Sequence, residues 1–375
     1  MDKNILIVTG EPSGDLHGGK FIQELKLLDP CLSFWGIGGD HMRKEGVELI
    51  EHIKNLSIVG IWEVIKNLSK IRSHYKNILK NVEKRKPDMA ILVDYPGFNL
   101  RLAKLLKKKN IPVVYYIIPQ VWAWGKHRIK ALKNYTDKTI VLFKFEEELL
   151  RKHGLNCTFA GHPLIDKIPP QDQTAEVPDQ KGPTIAFLPG SRNSEVKDLF
   201  PIMLSTTEKI TEVFPRSRFL VAESSNVEPA LYASKNKDRS SQNIIHIKDN
   251  TAKILAQSDF AIVASGTATL ETALANVPMV LTYKVHPITY PLIRSLLRLP
   301  FIGLVNIVAG KEIVPEFLQK KACPSKIANK IIEILKDKDL QKNMKDGFAS
   351  VRTSLGGSGA SKKAARCVYD FLKQI

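Results

Sequence analysis

The 375-residue chain has only four cysteines, Cys31, Cys157, Cys323 and Cys367, far apart and with no Cys-x-x-Cys pair. That argues against a disulfide framework or a zinc ribbon and fits a reducing compartment. Acidic residues are scarce: 38 Asp+Glu stand against 56 Lys+Arg, a net charge of +18. Long apolar runs are missing. The longest, Ile111 to Pro119, is far too short to cross a bilayer. The chain passes from Met1-Asp-Lys-Asn4 straight into a strand-like run, so no signal peptide is expected. What remains is a soluble protein or one attached to a single membrane face.

The missing acids leave a field that attracts polyanions: nucleic acid, acidic lipid or phosphorylated substrates. A generally lysine-rich composition is the plainer reading. Lysine is scattered, as in Arg101-Leu-Ala-Lys-Leu-Leu-Lys-Lys-Lys109, and the arginine–aromatic interleaving of a single-strand platform is absent. An anionic membrane or a phosphate-bearing substrate is therefore expected ahead of nucleic acid. At 43% hydrophobic content the chain can bury two cores of about 150–190 residues each.

Apolar runs at 4–9, 34–37, 89–93, 112–117 and 138–142, then 184–188, 217–222, 243–247, 259–264 and 278–283, predict strands. Helical patterns lie between them, the mark of parallel sheets covered on both faces. Residues 167–183 hold four prolines and little apolar content and read as a linker. The expected domains are 1–170 and 184–355, joined by 171–183. A last helical segment, 356–375, would dock on another domain or subunit.

The opening run Ile5–Val8 breaks at Gly10, passes a tight polar loop and restarts as a helix carrying Phe21, Ile22 and Leu25. Strand, glycine-rich loop and helix predict a ligand crevice at the strand's carboxyl end. The loop is not Gly-x-Gly-x-x-Gly, and Glu11 and Asp15 put carboxylates where a pyrophosphate needs bare backbone. Glu11, Ser13 and Asp15 are better suited to sugar hydroxyls. Asp94, ending the run Met89–Val93, is a candidate general base, with a turn cap as the competing reading. Ser265, Gly266 and Thr267 follow another buried run and open a helix whose N–H groups suit a diphosphate. Glu271, one turn on, could accept from ribose hydroxyls. Arg192, after Leu188-Pro-Gly-Ser, could fork onto a phosphate.

Trp122 and Trp124 stand beside Lys126-His-Arg128 and suit stacking on a sugar or lining an acyl channel. Ile58, Ile61, Trp62, Ile65 and Leu68 recur at helical spacing with Lys66, Lys70 and Arg72 nearby, a face that could lie on an acidic bilayer or pack in a core. Pro287–Pro300 has the same apolar-plus-arginine character. His127 and His162 have no metal-ligand spacing; no metal and no cofactor is expected.

Seven motifs occur in order: Gly10-Glu-Pro-Ser-Gly-Asp15, Asp94-Tyr-Pro-Gly-Phe-Asn99, Val121-Trp-Ala-Trp124, Gly161-His-Pro-Leu164, Leu188-Pro-Gly-Ser-Arg192 with Glu195-Val196, Ala264-Ser-Gly-Thr-Ala-Thr-Leu-Glu271, and Asn306 through Glu316. Together they resemble the lipid-A-disaccharide synthase family along essentially the whole chain. Pro119-Gln120 and Val305 depart from the family's frequent residues. The resemblance implies an α/β, GT-B glycosyltransferase: two Rossmann-like domains facing a central cleft, acceptor on the first and sugar nucleotide on the second. It implies joining UDP-2,3-diacylglucosamine to 2,3-diacylglucosamine 1-phosphate (lipid X) with inversion and release of UDP. It further implies a peripheral protein on the cytoplasmic face of the inner membrane, and a homodimer with exchanged C-terminal segments. By position, Asp94 matches the family's base and Arg192 its essential arginine. Arg192, Glu271, Asn306 and Glu312 match nucleotide-side positions; Asn99, Trp122 and Trp124 join the acceptor side. A GT-B-fold UDP-sugar epimerase without a lipid acceptor is the alternative.

Overall fold

A computed structural model describes residues 3–55, 68–122, 127–168, 182–233, 243–284 and 300–375. It divides into two compact units, Met1–Pro163 with Gly356–Ile375, and Leu164–Leu355. The segment 164–168 thus belongs with the second unit, ahead of the expected linker. Arg352 holds it there, donating from Nη2 to the carbonyls of Ile168 (3.2 Å) and Leu274 (2.9 Å).

The first unit runs β1 (Asn4–Val8), α1 (Pro12–Leu28), β2 (Ser33–Gly38), α2 (Asp40–Lys44), β3 (Glu48–His52), α3 (Leu68–Arg85), β4 (Met89–Val93), α4 (Pro96–Lys107), β5 (Val113–Tyr116), α5 (His127–Tyr135), β6 (Lys138–Val141), α6 (Lys144–Lys152) and β7 (Cys157–Phe159). Its seven strands lie in the order β3-β2-β1-β4-β5-β6-β7, all parallel. The second unit runs α7 (Leu164–Lys167), β8 (Thr184–Leu188), α8 (Asn193–Val213), β9 (Arg218–Glu223), β10 (Ile244–Lys248), α9 (Thr251–Ala256), β11 (Phe260–Ala264), α10 (Thr267–Leu274), β12 (Met279–Tyr283), α11 (Leu304–Ala309), β13 (Glu316–Leu318), α12 (Pro324–Lys336) and α13 (Lys338–Ser354). Its six strands follow the order β10-β9-β8-β11-β12-β13, also parallel.

Both sheets therefore share the doubly wound order, whose direction reverses between β1 and β4 and again between β8 and β11. In such sheets ligands bind outside the carboxyl ends at that reversal. The central strands β4, β8 and β11 are buried at every position, which is why they read as continuous apolar runs. The strands the apolar pattern missed, β3, β7 and β13, each close a sheet edge and are mostly half-buried. They had little core to bury.

The last helix, α14 (Ala360–Leu372), returns to the first unit and packs on α1. It buries Ala364, Ala365, Val368 and Leu372. A fully buried Val or Leu of this kind stabilises by about 1.5–3 kcal/mol.

Candidate active site

In the first unit the loops after β1 and β4 bracket the reversal. Gly10 permits this approach, since a Cβ there would collide with the ring of Tyr95. Glu11 takes the N-cap position of α1 in extended backbone and, with Ser13, is exposed.

Asp94 and Tyr95 both adopt the left-handed conformation (φ +48° each), which costs about 1 kcal/mol or more per residue outside glycine. The turn is tied down. Asp94 N donates to Tyr116 O at 3.0 Å, and the Asp94 carbonyl accepts from Tyr115 Oη at 2.7 Å and Asn99 Nδ2 at 2.8 Å. Pro96 then opens α4. The Asp94 carboxyl is pushed up to about 6, first by burial and then by the negative charge of Glu11. That brings a carboxylate into the range of a working general base. Burial and the Asp94 charge also raise Tyr115, so its hydroxyl stays protonated and donating.

Two expected acceptor-side residues have other work. Asp15 is 3% exposed. Its Oδ1 accepts from Gly39 N (2.7 Å) and Met42 N (3.1 Å), and its Oδ2 from His41 N (3.0 Å). It anchors the start of α2. Asn99 is fully buried, and its Nδ2 donates to Val8 O (3.2 Å), Val93 O (3.2 Å) and Asp94 O. It clasps the ends of β1 and β4 across the reversal. It shapes the crevice without lining it.

Trp122 is half-buried and donates from Nε1 to Glu146 Oε1 at 2.9 Å. Trp124 lies outside the described residues, as do Ile58, Ile61, Trp62 and Ile65 of the expected membrane face. Leu68 opens α3.

In the second unit the loops after β8 and β11 bracket the equivalent point. Gly190 has φ +116°, and a Cβ there would strike Glu195. Glu195 Oε2 accepts from Ser191 N at 3.0 Å, and its Oε1 pairs with Arg192 Nη1 at 2.9 Å. The Arg192 side chain is 75% exposed, so its guanidinium keeps donors free for an anion. Ser265 is half-exposed, and its Oγ donates to Ile302 O at 3.2 Å. Gly266 and Thr267 are exposed at the N-terminus of the eight-residue α10. Glu271 is half-buried in α10; burial raises its carboxyl and Lys167 opposes that.

Two further residues expected on the nucleotide side, Asn306 and Glu312, lie as follows. Asn306 is fully buried with its side-chain amide bonded on both atoms: Nδ2 donates to Val314 O (2.9 Å) and Glu316 Oε1 (2.9 Å). Its Oδ1 accepts from Ile313 N (2.9 Å) and Val314 N (3.0 Å). Glu316 completes the clasp by accepting from Ile302 N (3.0 Å) and Gly303 N (2.8 Å). The Asn306 side chain thus supports the segment that Ser265 touches. Glu312 is exposed in the loop four residues before β13.

Sequence reasoning missed Tyr115 and Glu146 as supporting groups, and it named Glu195 in the Arg192 motif without giving it a role. Glu195 alone left a signal, standing three residues after the candidate arginine. Among the described residues no group of three His, Cys, Asp or Glu is spaced to hold a metal. Asp337 and Asp339 form an Asp-x-Asp pair, but Asp337 caps α13, its Oδ1 accepting from Asp339 N and Leu340 N.

Comparison with solved structures shows the fold. The calicheamicin glycosyltransferase CalG4 superposes with a TM-score of 0.63 over 100% of this chain and 99% of that one, at 13% identity. UDP-GlcNAc 2-epimerase from Neisseria meningitidis gives 0.61 over 99% and 100%, at 11% identity. The epimerase alternative thus has likeness of fold alone behind it. Sequence relatives are far closer. The lipid-A-disaccharide synthase of Geobacter metallireducens is 37% identical over 99% of this chain and 98% of its own. That of Syntrophus aciditrophicus is 38% identical over the same shares. Residues 5–368 match the family described as lipid-A-disaccharide synthetase. With two doubly wound sheets of GT-B type and relatives matched end to end, the chain belongs to the lipid-A-disaccharide synthase family of glycosyltransferases.

Proposed function

We propose that the crevice of the first unit binds a 2,3-diacylglucosamine 1-phosphate acceptor and that the second unit binds UDP-2,3-diacylglucosamine. The observation that carries this reading is the unlike chemistry of two like positions. The β1/β4 reversal carries an acid raised to about 6. The β8/β11 reversal carries an exposed arginine and an open helix N-terminus.

In the reaction, the acceptor hydroxyl oxygen attacks the anomeric carbon of the donor sugar as the bond from that carbon to the diphosphate oxygen breaks. Asp94 takes the hydroxyl proton, and the electron pair leaves on UDP. Arg192 and the N–H groups at Ser265–Thr267 stabilise the diphosphate as its charge develops. Attack from the face opposite the leaving group inverts the anomeric centre. Glu11 and Ser13 hold acceptor hydroxyls, and Glu271 faces the nucleotide ribose.

Both substrates carry acyl chains, so the enzyme works at a lipid surface. The excess of 18 positive charges favours the anionic cytoplasmic face of the inner membrane. Among the described residues no helix is long and apolar enough to cross a membrane. A homodimer with exchanged C-terminal segments remains part of the proposal: in it α14 would take on the partner's α1 the place that it takes on its own α1 here.

The test is UDP release from purified protein given both diacylated substrates. UDP formed only when donor and acceptor are both present is the expected result. Isomerised UDP-sugar with no dependence on acceptor would overturn it.

A further inference from the structure

Among the described residues of the first unit, two buried carboxylates have no cation against them: Asp15, which holds the backbone at the start of α2, and Glu146, which holds a side chain and which the mechanism above leaves unused. Glu146 is 3% exposed and sits in the first turn of α6. Every partner that holds it is a neutral donor. Oε1 accepts from Trp122 Nε1 at 2.9 Å, Oε2 accepts from Phe143 N at 3.3 Å, and the Leu142 amide also donates to it. Burying an unpaired carboxylate is costly, and burial pushes Glu146 up to about 7. A helix cap does not require that cost, since serine or aspartate at the N-cap serves as well in open water.

The carboxylate joins two loops. One leaves β5 through Ile117, a β-branched residue in the left-handed conformation (φ +62°), and reaches Trp122. The other leaves β6 through Leu142 and Phe143. Both follow carboxyl ends of strands, and β5 lies next to β4, whose end carries Asp94. Phe145 meets the Trp122 indole edge-on at 5.4 Å and stacks on Phe143 at 5.3 Å. Phe143 in turn packs against His162 at 5.2 Å. The indole is therefore fixed on its N–H edge by Glu146 and supported by Phe145, while part of its surface stays open.

We propose that Glu146 is a positioning residue for acceptor recognition: through the indole N–H it holds Trp122 as a rigid wall for the acyl-bearing acceptor. The inference rests on the assignment of the acceptor to the first unit. A carboxylate is needed because its two oxygens both accept. A glutamine in its place would turn an NH2 group toward either Trp122 Nε1–H or Phe143 N–H.

The experiment is a double-mutant cycle with Glu146→Gln, Trp122→Phe and the pair, each scored by acceptor KM, donor KM and kcat, with Tm as a check on folding. Either single change should raise acceptor KM about tenfold, equivalent to losing one charge-assisted hydrogen bond. Donor KM should stay unchanged. With Trp122→Phe in place the N–H is gone, so adding Glu146→Gln should raise acceptor KM no further. Additive effects would overturn the proposal by making Glu146 a helix cap alone. An unchanged acceptor KM in Trp122→Phe would overturn it too, and that measurement stands even if Glu146→Gln does not fold. A rise in donor KM instead would overturn it through the underlying assignment of substrates to units.

Discussion

The two sheets repeat one topology and differ in what they place at its reversal. In the first unit the strand ends present Glu11 and Asp94, two acids close enough for one to raise the other. In the second they present Arg192, held by Glu195, and the bare N-terminus of α10. The same crevice can therefore handle a proton or an anion, depending on which side chains follow the strands. Fold alone does not choose between them. Each unit also keeps a buried asparagine, Asn99 or Asn306, that bonds to backbone carbonyls. Scaffold is shared in kind, and chemistry is not.

The contrast breaks most sharply at Asp94. Asp94→Asn should lower kcat by about 10²–10⁴-fold, the range of a lost general base, with little change in donor KM. In the unaltered enzyme kcat/KM should rise with pH through about 6 as Asp94 ionises, and that acid limb should vanish in the variant. Stability should move the other way. The carboxyl of Asp94 is raised on folding, so its native form is favoured when protonated and loses stability as pH climbs from about 4 to about 6. Asp94→Asn should remove that loss and raise stability at pH 7 by about 1–2 kcal/mol, after discounting for partial exposure. Denaturant titration at pH 5 and pH 7 checks the sign; equal gains at both would contradict it.

On the anion-handling side, Arg192→Ala should raise donor KM and lower kcat, together costing about 30–100-fold in kcat/KM, the worth of a guanidinium–phosphate contact. Acceptor KM should hold. If steady-state kinetics found the acceptor affected instead, the division of labour between units would be wrong. The smallest effect belongs to Glu11→Gln. Removing that charge should move the acid limb of kcat/KM to lower pH by a fraction of a unit, because burial and not Glu11 is the main cause of the shift at Asp94. An unmoved limb would show that the two acids do not interact in solution.

Legibility in the sequence followed burial. Runs such as Met89–Val93 and Phe260–Ala264 announced themselves because both faces of a central strand need apolar side chains. Glu48-Leu-Ile-Glu-His52 did not, because an edge strand is half-solvated and mixes charge with apolar residues. The motifs located both reversals, yet the direction of a polar side chain inside a motif was not readable. Ser13 and Asp15 stand two residues apart, one exposed and the other holding three backbone amides. Nor does the motif around Asn306 reveal that its side chain makes four hydrogen bonds to the scaffold. Glu146 sits in Phe145-Glu-Glu-Glu148, a run that looks solvated. Only the fold reveals that its first member is sealed against an indole.

Because α14 completes the first unit, the second unit is an insertion in the chain order of the first. A ribosome releases α1 early but makes its partner helix last, after all of residues 164–355. At bacterial elongation rates that interval is about 10–40 s. Through it the nascent first unit must stay unaggregated with its α14-binding side on α1 uncovered, while the second unit has everything it needs to fold. The half with the proton-handling acids is thus finished only when synthesis ends, and a truncated chain would carry a complete anion-binding unit and an unfinished partner.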